Sequence, residues 1–427
     1  MIRKLAHSIR EYKKASILTP ILVSVEVIME CIIPFVIAKL VNQIKAGCTL
    51  GEIAIYGLIL IAMAAISLIF GAAAGSTCAT ASCGLARNLR KDMFYNIQGY
   101  SFENIDKFST SSLVTRLTTD VTNVQMAYMM IIRTAIRCPF MLIFAFVMAF
   151  IMGGKMAFIF LVLVPILGFG LFLVIRKSMP LFRKVFKKYD ALNNSIQENV
   201  KAMRVVKSYV REDYEEKKFG HAAEDVCNDF TKAERILAIN NPMMQFCVYT
   251  VMVFVLSFGS YTIITSRGLD LDVGQFSALL TYSFMILSSL MMVSMVFVMI
   301  TMSAESAKRI VEVLNEKSTL SNPENPVYDV PNGSIDFDHV SFKYSKSAER
   351  TALANIDLHI KSGETIGIIG GTGSSKSTLV QLISRLYDVT EGDIKVGGIN
   401  VKQYDLETLR DQVAMLLHKN ILFSGTI

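Results

Sequence analysis

The sequence predicts a mainly α membrane protein, with six transmembrane helices followed by a smaller, partial α/β portion. Three observations carry this. Hydrophobic residues make up 52% of the 427 residues and charged residues only 19%, with a mean hydropathy of +0.44, more apolar than a soluble chain of this length sustains. Long apolar stretches fill the chain as far as Met302. Beyond Lys308 the composition turns mixed and polar, with glycine and proline punctuation, and this sets a domain boundary.

A helix needs about 20 apolar residues to cross the hydrocarbon core, and residues 17–41, 54–82, 127–153, 156–176, 243–265 and 274–302 each qualify. The first stretch is longer than a signal-peptide core and lacks a small-residue cleavage site, so it stays as a span. An even number of spans returns the chain to its starting side. Lys and Arg crowd the N-terminal arm (Arg3, Lys4, Arg10, Lys13, Lys14) and residues 176–235, whereas the opposite loops offer only Lys45, Lys155 and Arg267. By the positive-inside rule both termini are cytoplasmic. The same rule accounts for the net charge of +7 without a nucleic-acid partner. The seven cysteines are scattered, mostly through apolar runs, without metal-ligand spacing, and read as packing residues.

The two inside connections, 83–126 and 177–242, far exceed the usual link between helices. Apolar residues at helical spacing (Leu85, Leu89, Met93, Ile97; then Val185, Leu192, Ile196, Val200) extend the membrane helices into the cytoplasm. Each connection breaks midway, at 109–112 and 204–213, where short helices either touch a cytoplasmic partner or form solvated hairpins. Inside the first span, Glu26 and Glu30 lie four apart on one helical face. Carboxylates at that depth are costly. They either line a central pathway and meet a cationic or polar substrate, or form a structural pair bonded to neighbouring helices. The Met and Phe residues of the last span (Phe284, Met285, Met291, Met292, Met295, Phe297, Met299) read as packing rather than as an adaptable ligand surface.

From Gly333 the pattern becomes one of short strands: 334–337 and 353–360 alternate, and 365–369 is a short buried run. That run leads into Gly370-Gly371-Thr372-Gly373-Ser374-Ser375-Lys376-Ser377-Thr378, followed by an apolar helix from Leu379 to Leu386. Strand, glycine-rich loop and helix in this order form a P-loop. Its small residues let successive backbone amides curl around phosphate oxygens at the positive end of a helix dipole. Lys376 then reaches the β- and γ-phosphates, and Ser377 is placed to ligate Mg²⁺. Ser375 stands where the motif has its last glycine; its side chain is small, and the loop is expected to form and to bind.

Six spans with long cytoplasmic extensions and a P-loop domain resemble a half-transporter of the ABC exporter superfamily, of the bacterial multidrug type, over essentially the whole chain. Residues 108–121, with Ser109, Thr110 and Arg116, resemble the family's first coupling helix; residues 204–212, with Arg204, Val206, Tyr209 and Arg211, resemble the second. Val340-Ser341-Phe342-Lys343-Tyr344 is similar to the family's adenine-stacking segment, which assigns Tyr344 to the base. Residues 413–427 resemble the Q-loop region, with His418 at the position of the glutamine that contacts Mg²⁺; an imidazole differs from an amide in reach and pH dependence.

The resemblance implies a cytoplasmic arm at 1–16, a six-helix ABC exporter transmembrane domain at 17–306, a linker at 307–332 and a partial α/β P-loop nucleotide-binding domain at 333–427. It implies ATP and Mg²⁺ as cofactors and a second half-transporter as partner, with Ser375 and His418 favouring a heterodimer. The implied activity is ATP-driven export of an amphipathic small molecule across the plasma membrane. Lipid or peptide export, or a non-hydrolytic subunit with a regulatory ATP site, are the alternatives. The family's signature loop, Walker B carboxylates and switch histidine do not occur after His418 in these residues. The chain therefore reads as a fragment of a longer protein, without catalytic residues of its own and not expected to hydrolyse ATP alone.

Overall fold

A computed structural model describes residues 1–266, 271–345 and 348–416. The chain forms two compact units. One combines Met1–Asn88 with Thr122–Ala307, the other Leu89–Val121 with Lys308–Ile427.

In the second unit, the end of helix α3 (Leu50–Gln98) leads to α4 (Phe102–Lys107) and α5 (Thr110–Thr115), then to a π-helical turn, Arg116–Asp120. Ser101 and Asn104 form a capping box at the start of α4, and the Ser109 hydroxyl accepts from Ser112 N at the start of α5. This segment is seated on the last turns of helix α12 (Val273–Asn315). Asn96 Nδ2 donates to Val313 O at 2.6 Å, Arg309 Nε to Asp120 Oδ2 at 2.8 Å and Lys107 Nζ to Glu316 Oε2 at 2.7 Å.

Strands β1 (Ile335–Phe342), β2 (Leu353–Ile360), β3 (Glu391–Val396) and β4 (Ile399–Asn400) make an antiparallel sheet in the order β2-β1-β3-β4. Their alternation buries Phe337, Phe342, Ile394 and Val396 against Leu382 of α13 (Lys376–Ile383) and Leu409 of α14 (Leu406–Gln412). The β1–β3 register shifts between Asp338 and Ser341, and Gly392 lies opposite. A Cβ on Gly392 would fall 2.5 Å from Asp338 O and 2.4 Å from His339 O, so the bulge closes only over glycine. The sequence pattern is corrected at 365–369, which is neither buried nor a strand: Ile366 and Ile368 are exposed, and Ile369 is 99% exposed. A buried strand needs neighbours on both edges. Among the described residues no strand pairs with this run.

The first unit is helical because hydrocarbon offers no partner for backbone N–H and C=O groups, so each span must satisfy its own. Helix α1 (Ile2–His7) and a 3₁₀ turn lead into α2 (Lys13–Ala46), which ends on Gly47 in the left-handed conformation. After α3 come α6 (Val121–Met129), a π-helical turn (Met130–Thr134), α7 (Ala135–Gly153), α8 (Phe158–Lys201), α9 (Met203–Ser208), α10 (Glu212–Ala238), α11 (Asn240–Thr265) and α12. Five uninterrupted helical stretches among the described residues are long and apolar enough to cross a membrane. The stretch Thr110–Phe182 contains two of the six expected spans, α7 and α8, separated by the 3₁₀ turn Gly154–Ala157.

Val23, Val27 and Cys31 of α2 pack with Ala145 and Ala149 of α7 and with Leu279 and Tyr282 of α12. The Tyr282 hydroxyl donates to Cys31 O at 2.7 Å. Large apolar side chains such as Leu58, Ile61, Leu68, Ile143, Leu161 and Phe169 face outward, as a lipid-facing surface requires.

The charged exception is a triad between α2 and α7. Arg137 donates from Nη1 to Glu26 Oε1 at 2.6 Å and from Nη2 to Glu30 Oε1 and Oε2 at 2.8 and 2.7 Å. Gly71 of α3 makes room for it, since a Cβ there would stand 3.0 Å from Glu26 Oε1. Removing one partner of a buried ion group leaves an uncompensated charge, at a cost of roughly 3–5 kcal/mol. Arg137→Met is therefore expected to lower the melting temperature of the chain in lipid nanodiscs markedly. Adding Glu26→Gln and Glu30→Gln to that variant should restore most of the loss. A single variant that melts like the parent would show that the triad holds nothing together.

Candidate functional site

The P-loop begins in the exposed run just described and ends at the first turn of α13. Gly370 approaches the loop's far side closely: a Cβ on it would meet Ser374 Oγ at 2.6 Å. Ser374 N donates to Gly371 O at 3.3 Å, closing a tight turn around Thr372 and Gly373, with Gly373 at φ +83°. Ser375 has φ 60° and ψ 23°, the left-handed region that a glycine enters without steric penalty and an L-residue does not. The substitution noted in the sequence thus falls on the backbone position that asks for glycine.

Helix α13 starts without a side-chain cap, so its first backbone N–H groups face the loop. Lys376 Nζ donates to Gly370 O and Gly371 O at 2.8 Å each, with Ser374 Oγ at 3.2 Å, and its charge is held over the loop rather than in solvent. Ser377 is exposed on the first turn, whereas Thr378 is buried and faces the domain. Curled amides, an ammonium and a hydroxyl at one helix start are the donor set that a magnesium-bound polyphosphate requires.

Tyr344 follows β1 and is held beside α13. Its hydroxyl lies 2.8 Å from Thr378 Oγ1 and donates to Gln381 Oε1 at 3.3 Å. Lys343 N donates to Thr390 Oγ1 at 3.0 Å, fixing the loop from its other side. The ring is 46% exposed, so part of it is free to take a flat partner. Behind it stands Tyr387, edge-on with centroids 5.3 Å apart. Burial pushes the Tyr387 hydroxyl well above the usual tyrosine range, reinforced by its bond to Asp106, so it is a donor at neutral pH.

The other sequence-predicted residues fall in three places. Ser109, Thr110 and Arg116 belong to the seated segment of the second unit. Arg116 is 9% exposed, donates to Arg309 O at 2.8 Å and to Glu312 at 3.1 Å, and covers the Phe108 ring. In the first unit, Arg204 and Val206 lie on α9, and Tyr209 and Arg211 lie in the turn between α9 and α10. There Val205, Tyr209 and Val210 are exposed apolar residues, and Val210 adopts φ 49°. Glu26 and Glu30 are both bound by Arg137, and Glu26 Oε2 is buried without a hydrogen-bond partner. His418 lies outside the described residues.

Sequence reasoning passed over two residues. Arg137 sits inside an apolar span, as does Arg133, and an arginine there is itself a signal that a polar or acidic partner must face it. Tyr387 carried no local signal, because its importance comes from what the fold places on either side of it.

The family model described as ABC transporter transmembrane region matches residues 16–305, and that described as ABC transporter matches residues 353–427. Over its whole length the chain is 32% identical to the ABC transporter ATP-binding protein YfiB of Bacillus subtilis (strain 168), covering 74% of that protein. It is 29% identical, again over the whole chain, to an ABC transporter ATP-binding protein of Mycobacterium tuberculosis (strain CDC 1551 / Oshkosh), covering 73% of it. With the ATP-dependent lipid A-core flippase of Pseudomonas fluorescens (strain Pf0-1), 82% of the chain aligns at 28% identity to 57% of that protein. A transmembrane region and a P-loop region matched in one polypeptide settle the affiliation: the chain belongs to the ABC transporter family, as an exporter-type half-transporter.

Proposed function

We propose that the chain is one half of a dimeric exporter in a plasma membrane, with both termini cytoplasmic, that uses ATP and Mg²⁺ to move an amphipathic molecule outward. The observation that carries the nucleotide part is the arrangement of Lys376 over an uncapped helix start. In this reading residues 370–378 hold the phosphates, Ser377 ligates Mg²⁺ and Tyr344 stacks on adenine. The turns at 109–116 and 204–211 dock on nucleotide domains, and ATP-driven closure of two such domains switches the pathway between inward and outward access. The left-handed Ser375, and His418 at the glutamine position, favour a non-identical partner half, since such departures suit one site of an asymmetric pair.

Two features bear on the cargo. Glu26 and Glu30, proposed to line the pathway, share the single guanidinium of Arg137, so a cationic group that reaches them meets a cation already in place. The lipid A-core flippase among the relatives favours a lipid or lipid-like amphiphile over a small hydrophilic ion. Vesicles carrying the assembled transporter, loaded separately with a fluorescent phospholipid and an amphipathic cation, separate the readings by which probe moves with ATP. Transport of neither, with ATP binding intact, would support the regulatory-subunit alternative.

Nucleotide titration of the chain in nanodiscs tests the site itself. Lys376→Ala should abolish measurable MgATP binding, and undiminished affinity would remove the P-loop assignment. Base stacking contributes about 1–3 kcal/mol, so Tyr344→Ala should weaken MgATP roughly tenfold or more while leaving tripolyphosphate affinity unchanged. Placing an L-residue in the left-handed region costs about 1 kcal/mol. Ser375→Gly is expected to tighten MgATP up to about fivefold; weaker binding would mean that the serine hydroxyl itself serves the ligand.

A further inference from the structure

Within the second unit the adenine-side tyrosine and α4, the helix just before the first coupling segment, share one neighbour, Tyr387. The Tyr387 ring meets Tyr344 edge-on at 5.3 Å on one side and Phe102 of α4 at 5.9 Å on the other. Its hydroxyl donates to Asp106 Oδ2, also on α4, at 2.7 Å. Phe342 packs against both tyrosines, with centroids 4.9 Å from Tyr344 and 5.6 Å from Tyr387, so the ring cannot swing away from the stack. Tyr387 is 9% exposed and lies in the same apolar cluster as Phe102. Helix α4 is tied on its other side to the end of α12, through Asn104 Nδ2 to Glu316 Oε1 at 2.9 Å and Lys107 to Glu316 at 2.7 Å.

We propose that Tyr387 is a positioning residue that reports the nucleobase, rather than the phosphates, to α4, the helix that leads into the first coupling segment. Resting on the assignment of Tyr344 to adenine, the path runs from the base to the Tyr344 ring, from that ring edge-on to Tyr387, and through the Tyr387 hydroxyl to Asp106. A bound base fixes the Tyr344 ring, and in a close-packed stack a fixed ring restricts the one against it. The hydroxyl then holds α4 at a single point. The P-loop contributes nothing to this path beyond holding the nucleotide. The site therefore distinguishes an adenine nucleotide, di- or triphosphate alike, from a base-less polyphosphate, and the distinction appears at residues 102–107.

Hydrogen exchange of the full chain in lipid nanodiscs tests this, with MgADP, MgATP and magnesium tripolyphosphate as probes. For the parent, both nucleotides should slow exchange at 102–107 about fivefold, the scale of one hydrogen bond, and tripolyphosphate should leave those residues unchanged while protecting 370–378. Tyr387→Phe keeps the ring and removes the hydroxyl. It should bind MgATP with the parent's affinity and lose the response at 102–107. Asp106→Asn retains an acceptor and should keep the response. A parent response to tripolyphosphate equal to that of MgATP, or a full response in Tyr387→Phe, overturns the relay. A chain that binds MgATP with Lys376 dependence and shows no change at 102–107 overturns the relay alone. A chain that binds no nucleotide overturns the proposed function and the relay with it.

Discussion

Hydrocarbon cannot hydrogen-bond, and this one constraint shapes most of the chain. It explains why the first unit is built from long helices whose backbones satisfy themselves, and why apolar side chains turn outward as well as inward. It also explains why Glu26 and Glu30 must find a cation. The triad with Arg137 ties α2 to α7 by charge-assisted bonds at 2.6–2.8 Å in a setting where an unpaired member would be expensive. Gly71 leaves the carboxylate space, since a Cβ there would stand only 3.0 Å from Glu26 Oε1. Two acidic residues in one span thus dictate an arginine on a second helix and a glycine on a third.

In the second unit water is available and the constraint is different. Residues 89–121 leave the membrane helices in sequence and form one compact unit with residues 308–427, which hold the P-loop. Three of the polar residues in 89–121 bond to the last turns of α12 and the residues just after it: Arg116 to Arg309 O and Glu312, Asp120 to Arg309, Asn104 to Glu316 and to Lys317 O. The turn at 204–212 stays with the helical unit and exposes Tyr209 and Val210. The two segments, similar in the sequence as breaks in long hairpins, have different structural affiliations.

The sequence made some of this legible and left some hidden, for physical reasons. Spans, caps and the P-loop are local: a run of apolar residues or a glycine-rich turn before a helix declares itself within twenty residues. Strands β1 and β2 show in the sequence as short alternating runs, although β1 changes phase at its bulge and β2 buries only Leu353 fully. Run 365–369 has a strand's composition, yet composition cannot supply the neighbours a strand needs. The partner of Glu26 lies 111 residues away in sequence, and Tyr387 is 281 residues from Asp106, distances at which no periodicity speaks. Ser375 was visible as a departure from the motif, but only the backbone angle shows that the departure falls on a left-handed residue.

The exposed run before the P-loop has a consequence for how the protein is made. Ile366, Ile368 and Ile369 stand in solvent, and no strand among the described residues covers the adjoining backbone. Such a segment is adhesive: any free sheet edge, from a second nascent chain or from a chaperone, can take it up. The backbone that leads into residues 370–378 is thus itself left open, among the described residues, to pairing with a foreign strand.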